Sequence, residues 1–195
     1  MLTFFAVITV ILLFTPTIPL ILYVLGLLVP KDHTVTKSTI VKTSPEITWR
    51  ILTNIREYPD WQPSLESVVV KEQAEGRAVF LERSKRKRET LVVNLEQGTG
   101  RTLVRIIEQN SMAKQARTGT AASGPTFIGS WTIDLTANHR GTLVTITERG
   151  TISKPIVRLL QCTVFGYGRR IDTFIRDLSK YTKQRSEEEN VLEIN

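Results

Sequence analysis

Two hydrophobic patterns divide the chain. Residues 1 to 30 are almost continuously apolar and carry no charged side chain, whereas from Asp32 onward apolar positions alternate with polar ones or recur at helical spacing. Val35, Lys37, Thr39 and Val41 share one side of an extended segment, a first strand. Ser44-Pro45-Glu46 then marks a helix start: Ser offers an N-cap oxygen, Pro suits the first turn, and Glu complements the helix dipole. Ile47, Ile51 and Ile55 form the buried stripe of the short helix expected there. Tyr58-Pro59-Asp60-Trp61-Gln62-Pro63 should end regular structure, because both prolines lack a backbone donor.

Six further alternating stretches follow, Glu66–Lys71, Arg77–Arg83, Thr90–Glu96, Arg101–Glu108, Phe127–Leu135 and Thr142–Ile152, making seven strands with the first. Short turns such as Glu75-Gly76, Gly98-Thr99-Gly100 and Asn138–Gly141 imply antiparallel hairpins. Asn110–Pro125 is the least regular connection, a lid or a distorted strand. Leu91, Val93 and Leu95, Val104 and Ile106, Trp131, Ile133 and Leu135, and Val144 and Ile146 are expected to share one apolar sheet face. Ser153-Lys154-Pro155 opens the last element, where Ile156, Leu160, Val164, Tyr167, Ile171, Phe174 and Leu178 recur every three or four residues, predicting one long amphipathic helix that covers that face. Gly166 and Gly168 interrupt it, each weakening a helix by roughly 1 kcal/mol relative to alanine; either the backbone bends there or something approaches closely. The polar residues 183–195 read as a disordered tail.

The apolar leader changes the picture of location. No Lys or Arg precedes the run, while Lys31, Lys37 and Lys42 follow it, so the positive-inside tendency places the N-terminus outside and the folded part in the cytosol. A helix over 1–30 would be about 45 Å long, more than the roughly 30 Å hydrocarbon layer needs. Pro16 and Pro19 split the run, so a shallow hairpin is one alternative, and a cleaved secretory signal is another. The reading adopted is a single-pass anchor over residues 2–29, followed by one folded domain over 31–182. The chain carries a net charge of +7, all of its charged residues lying beyond Pro30. A basic domain beside an anchor favours an anionic membrane surface over nucleic acid. One cysteine, Cys162, permits no internal disulfide.

The motifs resemble the START and Bet v 1-like superfamily, known as SRPBCC, and most closely its polyketide cyclase/dehydrase branch. The residues that carry the likeness are Ser44-Pro45-Glu46 with Trp49, the Tyr58–Pro63 segment, Gly129-Ser130-Trp131, Gly141-Thr142-Leu143-Val144-Thr145, and Pro155–Arg158 leading to Phe165-Gly166. The resemblance implies an α+β helix-grip fold: a seven-stranded antiparallel curved sheet around a long C-terminal helix, here preceded by an N-terminal transmembrane helix. It also implies an apolar cavity between sheet and helix, for which Trp61, Val93, Val104, Trp131, Ile133, Ile146, Val164, Tyr167, Ile171 and Phe174 are the candidate ligand contacts. Gly129, Gly166 and Gly168 would leave room on facing surfaces.

Dedicated catalytic signatures are sparse. His33 and His139 form no metal-ligand spacing with the single cysteine and read as exposed polar residues, and Cys162 reads as a small buried hydrophobe. No metal or cofactor motif is present in the sequence. Asp134 is out of phase with its apolar neighbours and should face solvent. Glu148 shares phase with Val144 and Ile146, so it is either an edge-strand surface carboxylate or a group at the cavity mouth, where burial would suit a general acid. Arg83, Lys85, Arg86, Lys87 and Arg88 crowd one turn and are the candidate membrane-surface contacts. Three functions fit: binding, with or without transfer, of a lipid or other hydrophobic small molecule at a membrane; cyclase/dehydrase chemistry on a hydrophobic substrate; or a protein-binding scaffold with a vestigial pocket. The first is the expectation carried forward.

Overall fold

The computed structural model describes the backbone of residues 15, 17–98, 101–109 and 127–193, and side chains within these up to residue 185 except those of 109 and 127. The irregular connection Asn110–Pro125 and the first fourteen residues of the apolar leader lie outside the described residues. Helix α1 covers residues 17–28. There follow β1 (Asp32–Val41), α2 (Pro45–Thr53), a 3-10 turn (Ile55–Glu57), α3 (Tyr58–Trp61), β2 (Leu65–Ala74), β3 (Arg77–Ser84), β4 (Glu89–Gln97), β5 (Thr102–Gln109), β6 (Phe127–Asn138), β7 (Gly141–Ile152), α4 (Pro155–Leu160), a π turn (Gln161–Phe165) and α5 (Arg169–Glu193). The seven strands form one antiparallel sheet in the order β1-β7-β6-β5-β4-β3-β2. Among the described residues no helix is long and apolar enough to cross a membrane.

Each local signal acts through an identifiable contact. Ser44 Oγ accepts from the Ile47 amide at 3.3 Å and starts α2. Ile51, Leu52 and Ile55 are fully buried and close one end of the sheet. The Tyr58–Pro63 segment, expected to be irregular, instead forms the short turn α3, because Pro59 lies in its first turn, where the missing donor costs nothing. Tyr58 Oη donates to the Leu52 carbonyl at 2.7 Å, locking this turn onto α2. Two register shifts in the β2–β3 pair bend the edge strand around the core.

The alternation expected for β4 and β5 is one residue out. Val92, Leu103 and Ile107 are buried in the core, whereas Val93 and Val104 lie on the opposite, convex face with Ile106, which is 40% exposed. Both faces of these strands are apolar, so hydrophobicity alone does not choose between them. The choice follows from Arg105 and Asn94, which are buried on the concave side with polar partners.

The C-terminal element is likewise not one continuous rod. It breaks after the π turn at Gly166, whose φ of 71° continues no right-handed helix, and resumes at Arg169. Close approach occurs as well: a Cβ on Gly168 would meet Lys37 Cε at 2.8 Å. Beyond the break, Ile171, Phe174 and Leu178 turn inward and cover the sheet. Helical backbone continues to Glu193, through most of the polar segment read as a tail.

Gly141 begins β7 with φ 131°, and a Cβ there would lie 2.2 Å from the Val41 carbonyl oxygen. Backbone strain and overlap act together, so Gly141→Ala should destabilise the fold by roughly 2–4 kcal/mol in urea unfolding, whereas Gly76→Ala, which meets nothing closer than 3.9 Å, should cost less.

Candidate functional site

The concave face of the sheet is the place to look for chemistry, because it collects polar groups among apolar ones. Trp61 from α3, Trp131 from β6 and Phe174 from α5 meet edge to face there, with ring centroids 5.1 Å (Trp61–Phe174) and 5.3 Å (Trp131–Phe174) apart. Together with Ile133, Ile146 and Ile171, all fully buried, they bring the sheet and α5 into contact through one apolar cluster. Six of the ten expected ligand contacts are thus brought into one cluster. Tyr167 is half-buried beside it, stacked on His33 at 4.4 Å. Val164, by contrast, is 66% exposed on the π turn, and Val93 and Val104 are on the convex face.

Two buried polar clusters flank the aromatic rings. In the first, Arg105 donates through Nη2 to Glu82, and its guanidinium lies 5.3 Å from the Tyr58 ring centroid and 5.7 Å from that of Phe80. Asn94, the cross-strand partner of Arg105, donates to Tyr58 Oη at 3.4 Å. Burial holds the Tyr58 phenol above its ordinary range, a push that the Arg105 charge only partly offsets. For Arg105, desolvation favours the neutral form, but the Glu82 carboxylate and Tyr58 outweigh it and hold the guanidinium charged. Among the described residues, several atoms of this region are buried without a hydrogen-bond partner: Arg105 Nε and Nη1, Asn94 Oδ1, Trp61 Nε1 and Gln62 Nε2.

The second cluster is built on Glu148, which is 2% exposed and faces inward, not to solvent along a sheet edge. Its Oε1 contacts His33 Nε2 at 3.0 Å, its Oε2 accepts from Trp131 Nε1 at 2.6 Å, and Arg170 Nη2 lies 3.9 Å away. His33, expected to be exposed, is buried because β1 pairs with β7 and brings it alongside this carboxylate. Glu148 therefore joins β1, β6 and β7 to the first turn of α5. His139 is exposed in its turn and Asp134 accepts from Thr102 on the outer face, both as expected. Cys162 is exposed, since the π turn swings it outward, and is not the buried hydrophobe expected.

A recess of about 300 Å³, its open mouth included, enters beside the β2–β3 turn at Gly76. Ile55, Ala78, Asn94 and Leu103 line it, so it ends against the Arg105 cluster, but its enclosed part has room for little more than a water molecule. Arg105, Glu82, Asn94 and His33 were not among the expected site residues. A usable signal existed for one of them: Arg105 alternates with Leu103 and Ile107, a charge in the middle of an apolar face.

The Arg105–Glu82 pair makes a sharp prediction. Glu82→Ala strands a buried guanidinium and should cost roughly 3–5 kcal/mol in urea unfolding, whereas the double change Glu82→Leu with Arg105→Met should recover most of that loss. Tyr58 sets an alkaline limit: its folded-state pKa lies above the ordinary 10.0, so its contribution is complete below that value and is lost as pH rises through the folded one. The urea midpoint of the native chain should fall in that range with a component that Tyr58→Phe lacks, although the substitution itself removes a hydrogen bond worth about 1 kcal/mol.

Comparison with known proteins places this architecture. The family model described as polyketide cyclase / dehydrase and lipid transport matches residues 32–180. Among solved structures, the Zhui aromatase/cyclase from Streptomyces sp. R1128 superimposes with a TM-score of 0.62 at 13% identity, covering 80% of this chain and 96% of that one. A protein of Thermus thermophilus gives 0.61 at 14% identity, covering 79% and 99%. A START superfamily protein from Mycobacterium smegmatis gives 0.56 at 15%, covering 78% and 98%. At such identities the likeness establishes the fold alone. No match was found among curated protein sequences. The family match spans the whole sheet and reaches well into α5, and the chain accordingly belongs to the polyketide cyclase/dehydrase and lipid transport family.

Proposed function

We propose that this protein holds a lipid or other hydrophobic small molecule on the concave side of its sheet, beneath α5, with an oxygen atom of the guest directed to the Arg105 cluster. The observation that carries this reading is the set of polar atoms around the aromatic rings that are buried without a partner among the described residues. Leaving such groups unpaired costs about 1–3 kcal/mol each, and folded proteins keep few of them. A guest with a carbonyl or hydroxyl oxygen answers the donors of Arg105, Trp61 and Gln62, while its apolar body lies against the Phe174 and Trp61 rings. Because Glu82 already balances the Arg105 charge, a neutral oxygen suits the site as well as an acidic one. Apolar side chains dominate the remaining wall, as in most small-molecule sites.

The same proposal places the domain at a bilayer, held by an anchor over residues 2–29 with the folded part on the cytosolic side. In support, α1 exposes apolar side chains around its circumference, from Ile18 (55%) and Leu20 (62%) to Leu28 (77%), a surface unsuited to water. A cyclase-type enzyme is the second reading, favoured by the Glu148–His33 pair: a buried carboxylate on an imidazole is a proton-handling arrangement.

Mass spectrometry of molecules retained by the full chain through native purification should recover an oxygen-bearing hydrophobic compound. Retention should fall about tenfold in the Glu82→Leu, Arg105→Met double variant, which keeps the fold but removes the charged donor. Recovery of the compound chemically changed, with the change abolished in Glu148→Gln, would favour the enzyme reading; an empty protein would exclude both.

A further inference from the structure

The edge of the fold formed by α4 and the π turn is unusual for a surface facing water. Ile156 (37%), Leu160 (39%), Val164 (66%) and Phe165 (46%) are all exposed, and the first three recur every four residues along one side. The inward side of the same segment is occupied differently: Val157 packs on the core and Arg158 is buried. This strip is attached directly to α1. A Cβ on Gly26 would lie 2.2 Å from the Pro155 carbonyl oxygen, so the two backbones touch, and Arg158 Nη1 donates to the Val29 carbonyl at 2.7 Å. The apolar surface of α1 therefore continues within one turn onto α4.

Strand register places a basic group at the same end of the sheet. Asp32 pairs with Thr151, Ile152 with Phe127, Phe127 with Gln109, Glu108 with Leu91, and Glu89 with Arg83. The β3–β4 turn, Lys85–Arg88, thus shares one end of the sheet with Lys31, where the chain leaves α1, and with Lys154, where it enters α4. Five strand spacings separate β1 from β3, roughly 24 Å. Glu89 and Glu66 pair with Arg83 and Lys87, while Lys85, Arg86 and Arg88 are in none of the ion pairs recorded among the described residues. The Ser84 amide donates to the Arg88 carbonyl across the turn at 2.9 Å, with Lys87 at φ 58°.

We propose that this end of the sheet is a second, peripheral contact with an anionic bilayer. Ile156, Leu160, Val164 and Phe165 enter the boundary between headgroups and acyl chains, and Lys31, Lys154 and the β3–β4 turn meet lipid phosphates. Apolar side chains on one strip with cations at its margin are what such an interface selects. The proposal rests on the bilayer reading given above and deepens it: two contacts fix the tilt of the domain where a tether alone leaves it free, and they turn the Gly76 recess, at the other end of the strands, toward the aqueous phase.

Cys162 is exposed in the π turn and is the only cysteine of the chain, so it accepts an environment-sensitive NBD fluorophore without other changes. Labelled full-length protein is reconstituted in vesicles of phosphatidylcholine with or without phosphatidylserine and floated on a density gradient. The expected result is a blue-shifted emission, quenched by spin-labelled lipid and shielded from iodide, and stronger with phosphatidylserine. Replacing Val164 and Phe165 by serine should abolish the shift without affecting flotation. Changing Lys85, Arg86 and Arg88 to glutamine should lower the docked-to-undocked ratio about fivefold per charge removed. Protein that floats with its probe open to iodide overturns the second contact alone. Protein that does not float overturns the bilayer reading and this contact with it. A shift that persists in the serine variant also overturns the proposal, since the strip would then not be what holds the probe in lipid.

Discussion

The structure depends on covering one face of a curved sheet. Seven antiparallel strands expose a concave apolar surface that no hairpin of their own can bury, and Ile171, Phe174 and Leu178 of α5 bury it instead. Everything else about the interior follows from that contact. The helix can reach the sheet at the required angle because the chain breaks at Gly166, and it is tied down beyond the break by Glu148, whose carboxylate draws together groups from β1, β6 and α5. Burying one carboxylate is expensive, and here the cost is offset by donors from three separate elements. The pair of contacts, apolar stripe and ionic tie, sets the distance between sheet and helix.

The interior is an aromatic core interrupted by a charge. Arg105 stands in the centre of the sheet where a leucine would pack more simply, and it brings Glu82, Asn94 and Tyr58 into contact with it. Replacing a buried ion pair by apolar residues is often neutral or stabilising, so folding alone gives little reason to keep one. Among the described residues, donors of Arg105, Trp61 and Gln62 are buried nearby without a hydrogen-bond partner. The second cluster is saturated by comparison: both Glu148 oxygens have protein donors within the cluster, which suits a structural tie as well as a proton relay.

Outside, the molecule is polarised along its strands. One end carries the apolar helix α1, the α4 strip and the basic β3–β4 turn; the other carries the α2 cap and the recess beside Gly76. Antiparallel pairing produces this segregation, since alternate turns of a meander fall at the same end of a sheet. Features far apart in sequence, Lys31, Arg86 and Lys154, come to share one end of the sheet for that reason.

Local pattern was sufficient for the seven strands, the Ser44 cap, the antiparallel hairpins and a C-terminal helix that covers the sheet, because each rests on short-range sterics and on periodicities of two or 3.6 residues. Trp61, Trp131, Ile133, Ile146, Ile171 and Phe174, expected as ligand contacts, meet in one buried cluster. Three things required the tertiary structure. The phase of β4 and β5 is ambiguous where Leu91, Val92 and Val93 follow one another, and only the pairing of Arg105 with Glu82 across an intervening strand decides it. Burial of His33 depends on β1 lying against β7, more than a hundred residues later in the chain. Whether Glu148 faced solvent or core depended on what covered its strand. Sequence encodes which residues alternate; which face is inside is decided by the partners that arrive from elsewhere in the chain, because burial of a charge is tolerated only where an opposite charge or donor is already waiting.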